Sequence, residues 1–292
     1  MRILVTSSCN YNCIFCHREG IFWNTRDVFS ADDYGFIADV ASKLGVKYYK
    51  LTGGEPLVRR DIHEIVASIK PYSSEVSLVT NGSLLSLKAG VLAEAGLDRV
   101  NVSLHSLNPE VYRYITGGSI LLKRVLEGID RALDYGIKVK LNYLVMKSNI
   151  GEFTKIISYA ESRGLSINVI ELIPLGVPPG VYEKEHVGVG EIIKYLEEKA
   201  VKKYFRELHN RPVYILDSGV KVEVVVGYGN YLFCSKCSRI RLTPDGYLKP
   251  CLYVEQPRIS IVEQVKTRNR EELIKAFREI VLLRKPFFKP PG

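Results

Sequence analysis

The chain has 292 residues, of which 46% are hydrophobic, and carries a formal net charge of +9. This length and apolar content suffice for a barrel-sized domain with a smaller appendage, and no run of about 18 apolar residues predicts a transmembrane helix. The first residues, MRILVTSSCN, hold too short an apolar run for a signal or transit peptide, so we expect a cytoplasmic protein.

The first two-thirds of the chain alternates strand patterns with helix patterns. Apolar runs rich in β-branched and aromatic residues predict six strands, at 2–7, 46–53, 75–82, 98–106, 137–146 and 165–175. Helical spacing between them predicts helices, the clearest over 30–45, where Ser30 can cap the start and Gly45 can end the helix. Repeated units of this kind predict a parallel sheet that either opens out or curls into a barrel.

Polar residues and glycines follow four of the predicted strands, in the segments SSCN, TGGEP, TNG and SLHS. The carboxyl ends of barrel strands meet at one face, and the active sites of such barrels form there. We therefore expect the functional site at the carboxyl ends of the predicted strands.

The last third of the chain has a different pattern. Residues 174–190 are rich in proline and glycine and predict a mobile connection or a lid, with a helix following near 190–204. A final helix is predicted for EELIKAFREIVLLR.

Two hairpins are predicted between these helices. One covers 212–226 with its turn at Asp217–Gly219, and the other has its turn at Pro244–Gly246. We accordingly divide the chain into a barrel domain over 1–205 and a C-terminal domain over 206–292.

Six cysteines form two groups of three, separated by most of the chain: Cys9, Cys13 and Cys16, and Cys234, Cys237 and Cys251. In a reducing cytoplasm, clustered cysteines are more often metal ligands than disulfides. Three thiolates at C-x3-C-x2-C spacing suit a [4Fe-4S] cluster in which one iron lacks a protein ligand. The alternative is a zinc site with a histidine as fourth ligand, for which His17 is adjacent to the first group and His209 is nearest the second.

The first cysteine group together with TGGEP, Thr52–Pro56, resembles the radical S-adenosylmethionine (SAM) enzymes over the six predicted strands. The resemblance implies an incomplete (β/α)6 barrel of the TIM type, closed by a C-terminal domain that carries a second iron–sulfur cluster. In that family the open iron binds SAM, and one electron cleaves SAM to a 5′-deoxyadenosyl radical. The resemblance places five residues at SAM, namely Phe15, Gly54, Glu55, Ser103 and Ile173.

Within that superfamily, NVSL, LTGGEPLVRRD and FCSKCSRIRLTPDGYLKPCLY resemble the GTP 3′,8-cyclase family of molybdenum cofactor biosynthesis. The resemblance covers nearly the whole chain and implies that GTP is cyclised, with guanine bound at the open iron of the second cluster. It places the GTP contacts on Arg2, Lys50, Thr80, Lys140, Arg239 and Arg241. A triphosphate carries about four negative charges, which arginine forks match, and Arg239 and Arg241 would share one face of a strand.

Two other functions fit parts of the sequence. A peptide-modifying radical SAM enzyme with an auxiliary cluster would need a peptide groove rather than basic residues around its second cluster. A zinc-stabilised nucleic-acid-binding protein would show steep salt dependence, but the basic residues here are scattered along the chain. We therefore expect neither nucleic acid nor a membrane as partner. An electron donor and a downstream pterin-forming enzyme are the expected partners, and the sequence leaves both a monomer and a homodimer open.

Overall fold

A computed structural model describes residues 1–117 and 122–289, so residues 290–292 of the predicted C-terminal domain lie outside the described residues. The strands are β1 (Arg2–Thr6), β2 (Tyr48–Gly53), β3 (Glu75–Thr80), β4 (Arg99–Ser103), β5 (Lys138–Val145), β6 (Ser166–Glu171), β7 (Ala200–Phe205), β8 (Pro212–Leu216), β9 (Lys221–Val225), β10 (Arg241–Leu242), β11 (Tyr247–Lys249) and β12 (Ile259–Ser260). They form one sheet in the order β12-β11-β10-β1-β2-β3-β4-β5-β6-β9-β8-β7.

The α-helices of the described residues are α1 (Ala31–Lys43), α2 (Ile62–Ile69), α3 (Leu85–Glu94), α4 (Pro109–Thr116), α5 (Leu122–Asp134), α6 (Phe153–Glu161), α7 (Pro179–Glu185), α8 (Gly190–Lys199), α9 (Tyr231–Ser235), α10 (Val262–Lys266) and α11 (Arg270–Leu282). Ser30 caps α1 as predicted, since its hydroxyl accepts from the Asp33 N–H and the Asp33 carboxylate accepts from the Ser30 N–H. None of the described helices is long and apolar enough to cross a membrane.

The six predicted strands are confirmed as an incomplete barrel. β1 to β6 pair in chain order and in parallel, and helices cover the outer face of the sheet. On each strand alternate residues, such as Ile3 and Val5 of β1 or Val100 and Val102 of β4, belong to the core that these helices close. This period of two leaves the residues between them on the inner face.

The inner face of the barrel is polar. Arg2, Lys50 and Asn101 lie on it, and so do Asn142 and Asn168 further round the sheet. Closed barrels are usually filled at these positions by branched apolar side chains. The inner face here is polar instead, and the interior of the barrel that it lines, called the lumen below, suits a polar ligand.

Strands of the C-terminal third extend the barrel sheet at both of its edges, β1 and β6. β10 pairs in parallel with β1, and β9 pairs in parallel with β6 and continues through antiparallel β8 and β7. The two predicted hairpins are thereby confirmed. The boundary predicted at 205/206 falls between β7 and β8, and the division into two domains stays a prediction.

In the last third the structure shows a helix within one predicted segment, whose mobility stays a prediction, and corrects the end of another. The connection over 174–190 contains α7, whose final residue Glu185 is buried and accepts from the Tyr114 hydroxyl at 2.7 Å and from the Ser148 N–H at 3.1 Å. The helix predicted to Tyr204 ends at Lys199, because the chain then pairs with β8 as strand β7. In both cases contacts with distant residues decide the local structure.

Candidate functional site

The first cysteine group occupies the loop after β1, at the carboxyl ends of the barrel strands. Cys9, Cys13 and Cys16 are all free thiols. The loop is fixed to the end of α4, because the Ile14 N–H donates to the Ile115 carbonyl at 3.1 Å. Burial raises the pKa of the Cys13 thiol, and the neighbouring Cys16 and Cys9 raise it further. A buried thiol beside other thiols ionises readily only when a positive partner joins it.

The second cysteine group repeats the local geometry of the first. The Cys237 N–H donates to the Cys234 carbonyl at 3.1 Å, as the Cys16 N–H does to the Cys13 carbonyl at 3.1 Å. Each group also has a sulfur that accepts a backbone hydrogen bond from two residues further on, at 3.4 Å in both cases. Hydrogen bonds to sulfur are a normal feature of iron–sulfur sites. The donor set therefore fits two clusters, each with three protein ligands.

The histidines named for the zinc alternative have other contacts. His17 Nδ1 accepts from the Glu19 N–H at 3.0 Å. The His209 ring stacks on Phe233 with the centroids 3.9 Å apart, and neither of its ring nitrogens has a hydrogen-bond partner among the described residues. Within residues 1–117 and 122–289, no three His, Cys, Asp or Glu side chains converge closely enough to hold a single metal ion.

The TGGEP segment lies against the first cysteine loop. The Gly54 N–H donates to the Thr6 carbonyl at 2.9 Å, and the Glu55 N–H donates to the Ser8 carbonyl at 2.8 Å. A Cβ on Gly54 would lie 2.2 Å from the Ser8 carbonyl oxygen, so a larger residue would push the two segments apart. The predicted close backbone approach is present, and its partner here is the cysteine loop. Contact of Gly54 with SAM stays a prediction.

Glu55 supports this loop from within the protein. Its carboxylate is buried and accepts from the Leu57 N–H at 2.9 Å, the Thr80 hydroxyl at 2.7 Å and the Asn81 N–H at 2.7 Å. Burial raises the pKa of Glu55 to about 7, although these hydrogen bonds favour the ionised form. Glu55 thus ties the end of β2 to the end of β3, and its predicted contact with SAM is untested.

Glu55→Gln should destabilise the protein. One carboxylate oxygen becomes an NH2 group that faces a buried donor, so at least one hydrogen bond is lost and its donor is left unsatisfied. The expected loss is about 1–3 kcal/mol in the free energy of unfolding. Denaturant unfolding of the variant measures it, with the exposed Glu110→Gln as control. An unchanged midpoint would contradict the supporting role.

The other predicted SAM residues lie at the same end of the barrel. Phe15 is half-buried in the cysteine loop and meets the buried His105 edge to face, with ring centroids 4.8 Å apart. His105 Nδ1 accepts from the Leu144 N–H at 3.1 Å. Ser103 ends β4 and Ile173 follows β6, and both are half-exposed. All five predicted SAM residues therefore lie at the carboxyl ends of barrel strands, the end that also carries the first cysteine group, and their contact with SAM stays a prediction.

Most of the predicted GTP residues gather in the lumen. Arg2 lies opposite Lys50 on one side and opposite Arg241 on the other. Lys50 Nζ donates to Asn101 Oδ1 at 3.1 Å, and Lys140 Nζ donates to a Glu223 carboxylate oxygen at 2.6 Å.

Two predicted GTP residues lie differently from the expectation. Arg239 precedes β10, so it does not alternate with Arg241 on a strand as predicted, although it lies near Arg2 and Arg241. Its guanidinium has no hydrogen-bond acceptor among the described residues. Thr80 alternates with the inner-face Val79 and uses its hydroxyl for Glu55, so the structure does not bring its side chain into the basic group.

Two buried carboxylates that the sequence motifs do not indicate organise the lumen. Glu19 accepts from Arg2 and from Arg241, the latter at 2.7 Å. Glu223 accepts from Lys140 and from Arg206 at 3.1 Å, and it forms an ion pair with Arg211 at 2.7 Å. These cations hold the pKa of Glu223 down at about 2 against the effect of burial. A glutamate inside the apolar run VKVEVVV is the available signal for Glu223.

Basic groups still outnumber the carboxylates in the lumen. Burial, with Arg2, Arg239 and Lys140 nearby, lowers the pKa of Lys50 well below its usual value. Buried cations that only repel one another are costly unless an anion joins them. The lumen is therefore suited to a ligand with several negative charges.

A cavity of about 550 Å³ opens at the amino ends of β5 and β6. Its lining includes Lys138, Lys140, Arg206, Lys221 and Glu223, so it reaches the basic group of the lumen. Cavities of roughly this volume hold small-molecule ligands.

Comparison with known proteins places these features in a family. The model of the radical SAM superfamily matches residues 3–160, and that of the Molybdenum Cofactor Synthesis C domain matches residues 165–290. A probable GTP 3′,8-cyclase of Saccharolobus solfataricus is 43% identical over 99% of this chain and 96% of its own length. A probable GTP 3′,8-cyclase of Thermococcus kodakarensis is 42% identical over the same shares.

Solved structures agree on the fold. SuiB of Streptococcus suis bound to S-adenosylmethionine matches with a TM-score of 0.71 at 16% identity, over 95% of this chain and 67% of that chain. The structure of anSMEcpe with bound AdoMet matches with a TM-score of 0.62 at 16% identity, over 94% of this chain and 83% of that chain. Domain models that together span the barrel and the C-terminal third, and full-length relatives above 40% identity, lead to one conclusion: the chain belongs to the radical SAM superfamily and, within it, to the GTP 3′,8-cyclase family.

Proposed function

We propose that this protein converts GTP to (8S)-3′,8-cyclo-7,8-dihydroguanosine 5′-triphosphate, the first step of molybdenum cofactor biosynthesis. The observation that carries the proposal is the surplus of cations in a lumen whose residues lie close in the chain to both cysteine groups. Glu19 follows Cys16 and holds Arg241, which lies four residues after Cys237 in the chain. A nucleoside triphosphate matches this charge, whereas an uncharged peptide segment does not.

The cysteine groups would hold the cofactors of this reaction. Cys9, Cys13 and Cys16 would bind a [4Fe-4S] cluster at the carboxyl ends of the barrel strands, with Phe15 and Gly54 next to SAM. Once bound, this cluster and SAM supply the radical that removes the hydrogen at the ribose 3′ carbon of GTP. Cys234, Cys237 and Cys251 would bind the second [4Fe-4S] cluster and hold guanine.

The lumen would orient GTP through its triphosphate. Arg2, Arg239 and Arg241 offer planar forks of N–H donors, and Lys50 and Lys140 add point charges. Among these side chains Arg239 is the one that we most expect to bind a phosphate oxygen, because its guanidinium has no acceptor within the described residues.

The cellular setting is part of the proposal. The enzyme would work in the cytoplasm, take electrons from a separate donor and pass its product to a pterin-forming enzyme. A homodimer is the assembly to look for, and light scattering of the reconstituted protein distinguishes it from a monomer.

Anaerobic reconstitution tests the proposed function. The protein should take up iron and sulfide for two [4Fe-4S] clusters and, with a strong reductant, form 5′-deoxyadenosine from SAM. When GTP is added, cleavage of SAM should be accompanied by formation of a cyclised nucleotide. Zinc in place of iron, with no cleavage of SAM, would contradict the proposal.

Arg239→Ala and Arg241→Ala should each weaken GTP binding by about 1.5–3 kcal/mol, the usual scale for a hydrogen bond to a charged group. SAM binding measured without GTP should barely change in Arg239→Ala, because this side chain makes no hydrogen bond to the first cysteine loop within the described residues. Anaerobic titration calorimetry measures both affinities. The control is Arg270→Ala, an exposed arginine that pairs with Asp39 on the outer face. Equal loss for both ligands would indicate damage to the fold instead.

A further inference from the structure

A short segment, His17–Gly20, begins next to the first cysteine group and contacts residues that neighbour the second. It follows Cys16 directly, and its Glu19 is only 6% exposed. One Glu19 oxygen accepts from the Thr52 hydroxyl at 3.1 Å and from Arg2, and the other accepts from Arg241 Nη1 at 2.7 Å. The Glu19 carboxylate thus lies between an arginine of β1 and an arginine of β10.

The same segment contacts the residues around Cys251. Lys249 Nζ donates to the Gly20 carbonyl at 2.7 Å. A Cβ on Gly20 would lie 2.3 Å from the Leu252 carbonyl oxygen, so the two backbones are in close contact. A shift of the segment therefore changes contacts with both cysteine groups.

The backbone of the segment is held in an uncommon conformation. Glu19 has a φ of 52°, in the left-handed region that is unfavourable for a residue with a side chain. The hydrogen bond from the Glu19 N–H to His17 Nδ1 at 3.0 Å helps to hold it. Such a conformation persists only when its surroundings impose it, and here it directs the carboxylate into the lumen.

We propose that Glu19 is a positioning residue that orients Arg2 and Arg241 for the triphosphate and thereby couples GTP binding to the SAM site. The inference rests on the proposed function. Each guanidinium uses one side for Glu19 and keeps its other N–H groups for a ligand, and Arg2 Nε is buried without a partner. Because Glu19 is part of the first cysteine loop, the loop and the arginine pair adopt their working positions together.

Thermodynamic linkage makes this coupling measurable as the factor by which each ligand changes the affinity for the other. If GTP stabilises the arrangement in which the cysteine loop is ordered, it must raise the affinity for SAM by the same factor by which SAM raises the affinity for GTP. Coupling between two sites is typically about fivefold or more.

The test compares SAM dissociation constants with and without saturating GTP, in the reconstituted full-length enzyme without reductant. In the wild type we expect SAM to bind about fivefold or more tightly with GTP. Glu19→Gln should bring this ratio close to one. Glu19→Asp, which keeps the charge but shortens the reach to the two arginines, should do the same if Glu19→Gln fails to take up iron.

The matched control is Glu223→Gln. Glu223 also holds cations of the lumen, but it lies on β9 and binds Lys140, Arg206 and Arg211 instead. This variant removes a carboxylate that competes with GTP for these cations, so it should still bind GTP and keep the wild-type ratio once GTP is saturating. The coupling would be overturned if the ratio of SAM dissociation constants in the wild type were one. It would also be overturned if either Glu19 variant kept the ratio of the wild type. In both cases GTP binding by the wild type would still support the proposed function. A wild type that binds no GTP would overturn both.

Discussion

Cys13→Ala should abolish cleavage of SAM. Cys13 is the middle thiol of the first group, and its loss leaves a [4Fe-4S] cluster there with two protein ligands instead of three. The open iron would then no longer be held at the carboxyl ends of the barrel strands. The measurement is 5′-deoxyadenosine formed from SAM under strong reductant, which should fall to the level of a protein-free blank.

The second cysteine group provides the control for this variant. Cys234, Cys237 and Cys251 are untouched, so about half of the wild-type iron should remain if two clusters are present. Normal formation of 5′-deoxyadenosine by Cys13→Ala would refute the assignment of the first group.

Cys251→Ser should separate SAM cleavage from cyclisation. The second cysteine group belongs to the C-terminal third, and the SAM residues lie around the first group, so SAM can still bind and be cleaved slowly. Cyclised GTP should disappear, because guanine would no longer be fixed at the second cluster. The ribose 3′ carbon would then not be held within about 3–3.5 Å of the radical carbon of 5′-deoxyadenosyl, the reach that a near-attack geometry requires. Iron should fall by about half.

The ratio of cyclised nucleotide to 5′-deoxyadenosine is the quantity to measure in Cys251→Ser. We expect a ratio near zero, against a constant ratio in the wild type. A variant that keeps the wild-type ratio would make the second cysteine group merely structural, and a zinc site would then be the better interpretation of it.

Much of the fold follows from local patterns in the sequence. The six barrel strands carry apolar residues at alternate positions because one of their faces packs against the helices, and glycines such as Gly45 and Gly136 stop the helices between them. The two cysteine groups and TGGEP are short motifs whose chemistry depends on neighbouring residues. The amino-acid sequence alone is therefore enough to predict these features.

Other features depend on partners far away in the chain, and the sequence does not reveal them. Glu19 meets Arg241 only because β10 pairs in parallel with β1, and Glu223 meets Lys140 only because β9 extends the sheet beyond β6. The sequence pattern predicts helix where β7 lies, since only its pairing with β8 makes it a strand. The carboxylates that set the charge of the lumen escape prediction for the same reason.

Deuterium at the ribose 3′ position of GTP tests the proposed cyclisation most directly. Incubated with SAM and reductant, the reconstituted protein should transfer deuterium into 5′-deoxyadenosine and release a cyclised nucleotide isomeric with GTP. Mass spectrometry of both products measures the transfer. Unlabelled 5′-deoxyadenosine with no cyclised nucleotide would contradict the assignment of this protein as a GTP 3′,8-cyclase.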